Sequence, residues 1–517
     1  MAHTPLANLS RIPGFDRLRS AAIALGQPVL LTSLAVSGLV LGLRAVGVFE
    51  RPGLALYDQF VRLQPPQPLE GPDERLLVVG IDEADLQSLG EWPLSDDTLA
   101  RILEALQVHQ PRVIGVDILR DIPIGAGRDR LLGQLQQPNV VIVCKVNSAS
   151  DPGAPPPAGL PPESVVFADL TVDSGGTLRR SLMFVNPPPL ETPAAVSHVC
   201  NSPGTVVSLS FGAALNYLAA EGIAPSFTEA GQLVVGETPF PVLTPDFGSY
   251  RGTDVAGYQT MLRYRAEEGS VPVVSLSDVL DGLPAEQVRN RIVLIGYTTP
   301  LAKDDFYTPY SAGRDDQQKM PGVVVHAQST SQILSAVLDG RSLVSEWPLA
   351  VEVLWIGGWT LVTGLFAWYV KRPSWFVAGV VMLGGAAYGS ALLLFLQGVW
   401  VPLVPVLTSI AATASGVIMV ERFHRSDYGK RLVNQVKTFL QIDIDEERLD
   451  RQVAEITETE YFQDLKSTVE TLRSQPIEAL EPLETESSEP NDGLDLLADL
   501  NAEVQQIKRQ SDSTADG

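Results

Sequence analysis

Two aspartates close short apolar runs in the chain. Asp82 follows Leu76-Leu77-Val78-Val79-Gly80-Ile81, and Asp117 follows Val113-Ile114-Gly115-Val116. Runs of this length and composition read as buried strands. The carboxyl ends of such strands are where open α/β sheets bind ligands. With Glu83, Asp304, Asp305 and His326, the two acids could face one crevice and hold a cation or a ligand amine, or accept hydrogen bonds from a sugar-like solute. The competing role for these acids is to cap helices and turns and to anchor Trp92 and its loop. His326, at a predicted helix start, fits a hydrogen-bonded structural role. Arg179 and Arg180 read either as surface ion pairs or as anion ligands. Gly296-Tyr297-Thr298 after a strand offers a weaker anion cradle. The candidate ligand set is therefore Asp82, Glu83, Trp92, Asp117, Arg179, Asp304 and His326.

Catalysis has no comparable signature. The sequence contains no Gly-x-Ser-x-Gly elbow, HExxH pair or P-loop. Ser208 and Ser210 lie in an apolar helical run and are expected to be packed. No CxxC pair or His/Cys cluster suggests a metal site, the five histidines are scattered, and no cofactor is indicated. The expectation is a protein that is not an enzyme.

The elements that must position these residues alternate between strand and helix. Strands are predicted at 76–81, 113–116, 139–143, 233–235, 261–264 and 292–295. Helices are predicted at 98–107, 206–220 and 323–338. Leu99, Ile102, Leu103 and Leu106 share one face of the first helix, with Asp96 or Asp97 as its cap. Pro-rich 151–162 and 186–193 read as loops. This alternation favours an α/β domain, a mixed or parallel sheet with covering helices.

Apolar spans bracket the block. Segments 28–48, 349–370, 375–396 and 401–420 are each long enough to cross a bilayer core, interrupted only by Arg44 and Glu352. Basic residues lie before the first span (Arg11, Arg17, Arg19), between the second and third (Lys371, Arg372) and after the fourth (Arg422, Arg425). By the positive-inside rule this expects a multi-pass plasma (inner) membrane protein with both termini cytoplasmic and 49–345 outside. The alternative for 28–48 is a cleaved signal peptide with Ala45-Val46-Gly47 as the cleavage site. Arg44 is expected to snorkel, and Trp347, Trp368, Trp375 and Trp400 to sit at the membrane interfaces. Gly38-x-x-x-Gly42 and Gly385-x-x-x-Gly389 would permit close helix approach and a homodimer.

The formal charge of −24 argues against nucleic acid as a partner. From Glu421 onward, 23 Asp and Glu stand against 11 Lys and Arg, so this tail contributes −12. Segment 421–473 carries helical apolar spacing (Tyr428, Leu432, Val436), and acidic 474–517 is expected to be mostly disordered apart from a short helix at 494–507. Cys144 and Cys200 could pair in an oxidising compartment, but two cysteines make no framework.

Several segments together resemble one family. They are Tyr57-Asp58 with Arg62; Val78-Val79-Gly80-Ile81-Asp82-Glu83 followed by Trp92-Pro93; Gly115-Val116-Asp117; and Val172-Asp173 with Gly175 and Arg179. Further on come Arg291-Ile292-Val293-Leu294-Ile295-Gly296, Asp304, Thr308-Pro309, Pro321-Gly322-Val323 and His326-Ala327. The block is similar to the CHASE2 domain, an extracytoplasmic sensory module of bacterial receptors, and three closely spaced spans after it are also that family's arrangement. Such receptors are often fused to nucleotide cyclases or protein kinases, none of which fits intact after residue 420. The resemblance therefore implies a membrane sensor for an unidentified small-molecule or envelope ligand, acting on a separate cytoplasmic effector. The alternative is an envelope scaffolding protein without signalling output.

Overall fold

The computed structural model describes residues 15–64, 71–191, 196–313 and 319–425. The amphipathic stripe and acidic tail expected beyond residue 425, and residues 1–14, lie outside the described residues.

Six parallel strands form the central sheet: β1 (Leu76–Ile81), β2 (Val113–Asp117), β3 (Val140–Cys144), β4 (Val165–Phe167), β11 (Val273–Ser275) and β12 (Ile292–Tyr297), in the order β11-β1-β12-β2-β3-β4. Their side chains alternate between two cores, as the two-residue period of a strand requires. Leu77, Val79 and Ile81 face α4 (Asp96–Gln107), α5 (Arg128–Leu135) and α7 (Leu276–Gly282). Leu76 and Val78 face α6 (Leu209–Ala219) and α9 (Gly322–Leu338). Burial on both faces explains why the strands read as continuous apolar runs.

Three sequence expectations shift. The cap of α4 is Ser95, whose Oγ accepts from Thr98 N at 3.2 Å. Asp96 instead lies buried beside Arg120 (3.6 Å) and Arg128 (3.3 Å). The helix expected at 206–220 begins as strand β6 (Val206–Val207), because Ser208 caps α6 by accepting from Phe211 N. The strand expected at 261–264 is β10 (Tyr258–Met261), paired antiparallel with β5 (Arg180–Val185). Beyond it, Arg263 N and Arg265 N donate to Gln332 Oε1 and Gln328 Oε1 on α9, so side-chain amides replace the ladder. A meander of β7 (Pro225–Phe227), β8 (Leu233–Val235) and β9 (Thr238–Pro239) and a pair β13 (Asp305–Phe306) and β14 (Met320–Pro321) complete the block. Cys144 and Cys200 are disulfide-bonded, with Cα atoms 6.3 Å apart.

Among the described residues, three helices are long and apolar enough to cross a membrane: α10 (Leu349–Tyr369), α11 (Pro373–Leu396) and α12 (Leu403–Arg425), the last over 403–420. The first expected span is different. Helix α1 (Phe15–Ala45) stops short of Val48, and its described apolar part qualifies only together with α2 (Glu50–Leu63), from which it is bent by 87°. Helix α1 packs on α10 and α12. The close approaches use Gly364 beside Val29 and Ser33, and Gly379 beside Phe366. A Cβ at Gly38, Gly42, Gly385 or Gly389 would meet nothing within 4 Å among the described residues, so no close helix approach is made there.

Arg44 does not snorkel. It is buried against Glu352 (2.5 Å) and donates to Gly248 O at 3.2 Å. Trp400 is equally displaced from its expected interfacial position. It lies buried at the base of the α/β block, 4.8 Å from the ring of Tyr57, and the backbone of Gly248, at φ +56°, passes so close that a Cβ could not fit.

Candidate functional site

The carboxyl edge of the sheet gathers some of the expected residues and separates others. Asp82 caps α3 (Glu83–Leu89): its Oδ1 accepts from Asp85 N at 2.9 Å, and Asp85 Oδ2 accepts from Asp82 N at 3.1 Å. Asp85 also accepts from Leu276 N, Ser277 N and Ser277 Oγ, tying α3 to α7. Glu83 accepts from Thr299 Oγ1 at 3.0 Å. Trp92, half exposed and followed by a cis peptide to Pro93, stands edge-on to Tyr297 with centroids 5.4 Å apart. Because β12 lies between β1 and β2, Asp82 and Asp117 stand two strands, or about 10 Å, apart. They do not form one carboxylate pair.

Asp117 instead lies near Asp304, which in turn interacts with His326. The Asp117 Cβ sits 3.3 Å from where a Cβ on Gly296 would be, and the Asp304 carboxylate occupies the space beside Gly322. Glycine at 322 leaves room for the Asp304 carboxylate, and at Gly296 the nearest neighbour is Val323. Asp117 Oδ2 is buried without a hydrogen-bond partner. Burial pushes the Asp117 carboxyl up to about 7. Burial and then the charge of Asp117 push Asp304 up to about 6, against the pull of His326. Burial lowers the His326 imidazole, opposed by Asp304. The ring lies 2.9 Å by Nδ1 from Ser210 Oγ and 3.2 Å by Nε2 from Ala168 O, which assigns the proton to Nε2 and leaves Nδ1 to accept. Ser210 is 3% exposed between α6 and α9, so this Ser–His contact ties two helices and does not present a hydroxyl to solvent. Among the described residues no group of three or more His, Cys, Asp or Glu side chains is placed to hold a metal ion.

The proton on Asp117 has a measurable consequence. Its folded pKa lies above the ordinary 3.8, so the native protein holds an extra proton at mildly acidic pH. The stability this contributes is complete below about pH 4 and is lost as the pH rises through about 7. Asp117→Asn is expected to remove about 3 kcal/mol of the stability difference between pH 5 and pH 8. Melting the detergent-solubilised protein at the two pH values checks this, and an unchanged slope in the variant would remove Asp117 as its source.

Arg179 belongs to a second site, beside α2. Its Nε and Nη2 grip Asp58 of α2, both at 2.7 Å, while Nη1 donates to Asp173 Oδ2 at 2.6 Å. Arg180 Nε donates to Asp173 Oδ1 at 2.7 Å, and Tyr250 OH donates to Asp173 Oδ2 at 2.8 Å. All four charged groups are buried. Arg179 and Arg180 are therefore not surface ion pairs, because both guanidiniums hold carboxylates inside the protein. The sequence signal was present in the separate Tyr57-Asp58 and Val172-Asp173…Arg179 segments, acid in one and base in the other, but nothing in their spacing joined them. A cleft of about 720 Å³ opens over this network, with Asp58, Arg179, Ser174 and Gly175 at its floor and Glu50, Arg51 and Arg62 of α2 along its wall.

Next to the network, Tyr57 and Phe60 pack on Phe395 of α11, at 5.3 and 5.4 Å between centroids. Arg263 donates to Leu396 O at 2.9 Å, and β15 (Ser345–Glu346) pairs in parallel with β16 (Val399–Trp400), the link between α11 and α12. One apolar core runs from Tyr250 and Tyr264 through Tyr57 and Trp400 to Ile356, Val406 and Ile410.

An α/β domain with a parallel sheet, fused through a continuous core to long apolar helices, defines the class of protein. Residues 34–365 match the CHASE2 domain family, and the chain belongs to that family, whose domain is a sensory one of extracellular type. No curated protein and no solved structure matches the chain.

Proposed function

We propose that the chain is a multi-pass membrane sensor whose CHASE2 domain detects a signal outside the membrane and passes a displacement through α2 and the apolar helices to a separate cytoplasmic effector. The observation that carries this reading is the buried Asp58–Arg179–Asp173 network, which fastens α2 to the domain beside the shared core. Because α1 continues into α2 through a tight turn and packs on α10 and α12, a shift of α2 relative to Arg179 moves the helix bundle. A ligand can bias two such states only by its difference in affinity for them. Occupancy of the cleft over Arg179, or of the crevice at Asp117 and Asp304, would supply that difference. The Arg44–Glu352 pair favours retention of the first helix, and a disulfide fits an oxidising exterior. The reading assigns no chemistry to Ser210 and His326.

Cysteines placed at Gly71 and Ser511 test the arrangement in intact cells. A membrane-impermeant thiol reagent is expected to label Gly71→Cys and spare Ser511→Cys until the cells are opened, and equal labelling of both sites defeats the reading. Affinity capture of the full chain should then recover a partner that is lost when 421–517 are deleted. Tail accessibility that stays constant when the outer domain is occupied would instead favour an envelope-binding scaffold.

A further inference from the structure

A cleft of about 490 Å³ opens where the end of α1, the start of α10 and the loop carrying Asp246 and Arg251 meet. Its two walls differ in chemistry. Leu41, Leu349 and Val353 form the side nearer the apolar helices, and Leu349 and Val353 are exposed. Asp246, Arg251 and Glu346 form the other side, with Trp347 at the junction, an amphipathic ring of the kind favoured at a headgroup boundary.

Between the walls lies the Arg44–Glu352 pair, whose side chains are 7% and 3% exposed. One nitrogen and one oxygen of the pair satisfy each other, while Arg44 Nη1 and Glu352 Oε1 are buried with no partner. Unmatched buried polar atoms are costly and rare, each about 1–3 kcal/mol. This pair presents a charged donor and a charged acceptor side by side at the meeting of an apolar and a polar wall.

The complementary molecule has an anion and a hydrogen-bonding cation on an apolar body. We propose that this cleft binds a membrane phospholipid with a phosphoethanolamine headgroup. Its phosphate faces Arg44 and Arg251, its ammonium faces Glu352 and Asp246, and its chain lies along Leu41, Leu349 and Val353. The charges select among headgroups. Asp246, Glu346 and Glu352 outnumber Arg44 and Arg251, which disfavours a headgroup of net negative charge. A primary ammonium donates hydrogen bonds to carboxylates, whereas a quaternary choline cannot. The site rests on the membrane reading proposed above, and would let the receptor's first helix respond to the lipid beside it.

Native mass spectrometry of the full-length protein in detergent tests the site with three phospholipids of identical chains. Retention of the phosphatidylethanolamine is expected to exceed that of phosphatidylcholine and phosphatidylglycerol by about tenfold. Val353→Trp fills the apolar wall and should abolish the preference. Asp246→Asn, on an exposed side chain that keeps its oxygen for Gly252 N, should lower it severalfold with an unchanged melting temperature, and decides the matter should the tryptophan variant not fold. Glycerophosphoethanolamine, the headgroup without chains, is expected not to compete; effective competition would assign the cleft to a soluble zwitterion and overturn the lipid proposal. Equal retention of the three lipids also overturns it. Protein that fractionates with membranes yet shows no preference defeats this proposal alone, whereas protein absent from membranes defeats the reading beneath it.

Discussion

Replacing Arg179 by methionine is expected to lower stability by about 3–5 kcal/mol, the effect of breaking a buried ion pair and leaving the Asp58 carboxylate unmatched. Asp58 loses both hydrogen bonds from Arg179, while Asp173 keeps Arg180 and Tyr250. In a domain of this size the loss corresponds to a fall in melting temperature of roughly 10 °C. Arg179→Lys keeps the charge but loses the two-pronged grip on Asp58, so it should fall between wild type and methionine. A double-mutant cycle with Asp58→Asn separates a specific tie from general damage. Coupling above about 1 kcal/mol is expected, and additive effects would show that α2 is not fastened through this pair. The same variants bear on the signalling proposed above, under which loosening α2 should change exposure of the tail without any ligand.

The second large effect concerns Cys144 and Cys200. They are separated by 56 residues and fully buried, and a cross-link closing a loop of that length stabilises by about 4 kcal/mol through the entropy it removes from the unfolded chain. Cys200→Ser should therefore melt well below wild type, and dithiothreitol should lower the wild-type melting temperature while leaving the double serine variant unmoved. The result also reports on compartment, since such bonds persist on the oxidising side of a membrane. Purified wild-type protein carrying two free thiols would contradict both the tie and the placement of this domain outside.

Much of the α/β block was legible because its signals are local. The runs at Leu76–Ile81 and Ile292–Tyr297 are apolar throughout, as strands covered on both faces must be. The helix at Asp96–Gln107 shows its buried face in the spacing of Leu99, Ile102, Leu103 and Leu106. Boundaries failed where a side chain from elsewhere competed for the backbone, as Gln328 and Gln332 do beyond Met261. The crevice was half legible. Asp304 does interact with both Asp117 and His326, while Asp82 is spent on capping α3 and is kept apart by a strand that enters the sheet late in the chain.

Composition and periodicity were enough to determine an α/β domain flanked by apolar helices, because hydrophobic burial and bilayer-length spans are written in consecutive residues. Motif order was enough to point to the CHASE2 family. Only the tertiary structure decided that Arg179 is a lock between α2 and the domain, that Arg44 meets Glu352, and that Trp400 is buried beneath Gly248. Each of these joins residues more than a hundred positions apart, or a helix to a turn across the core. A charge carries no mark in sequence of the partner that will neutralise it, so such pairings emerge only when packing excludes water and makes an unmatched ion too costly to keep.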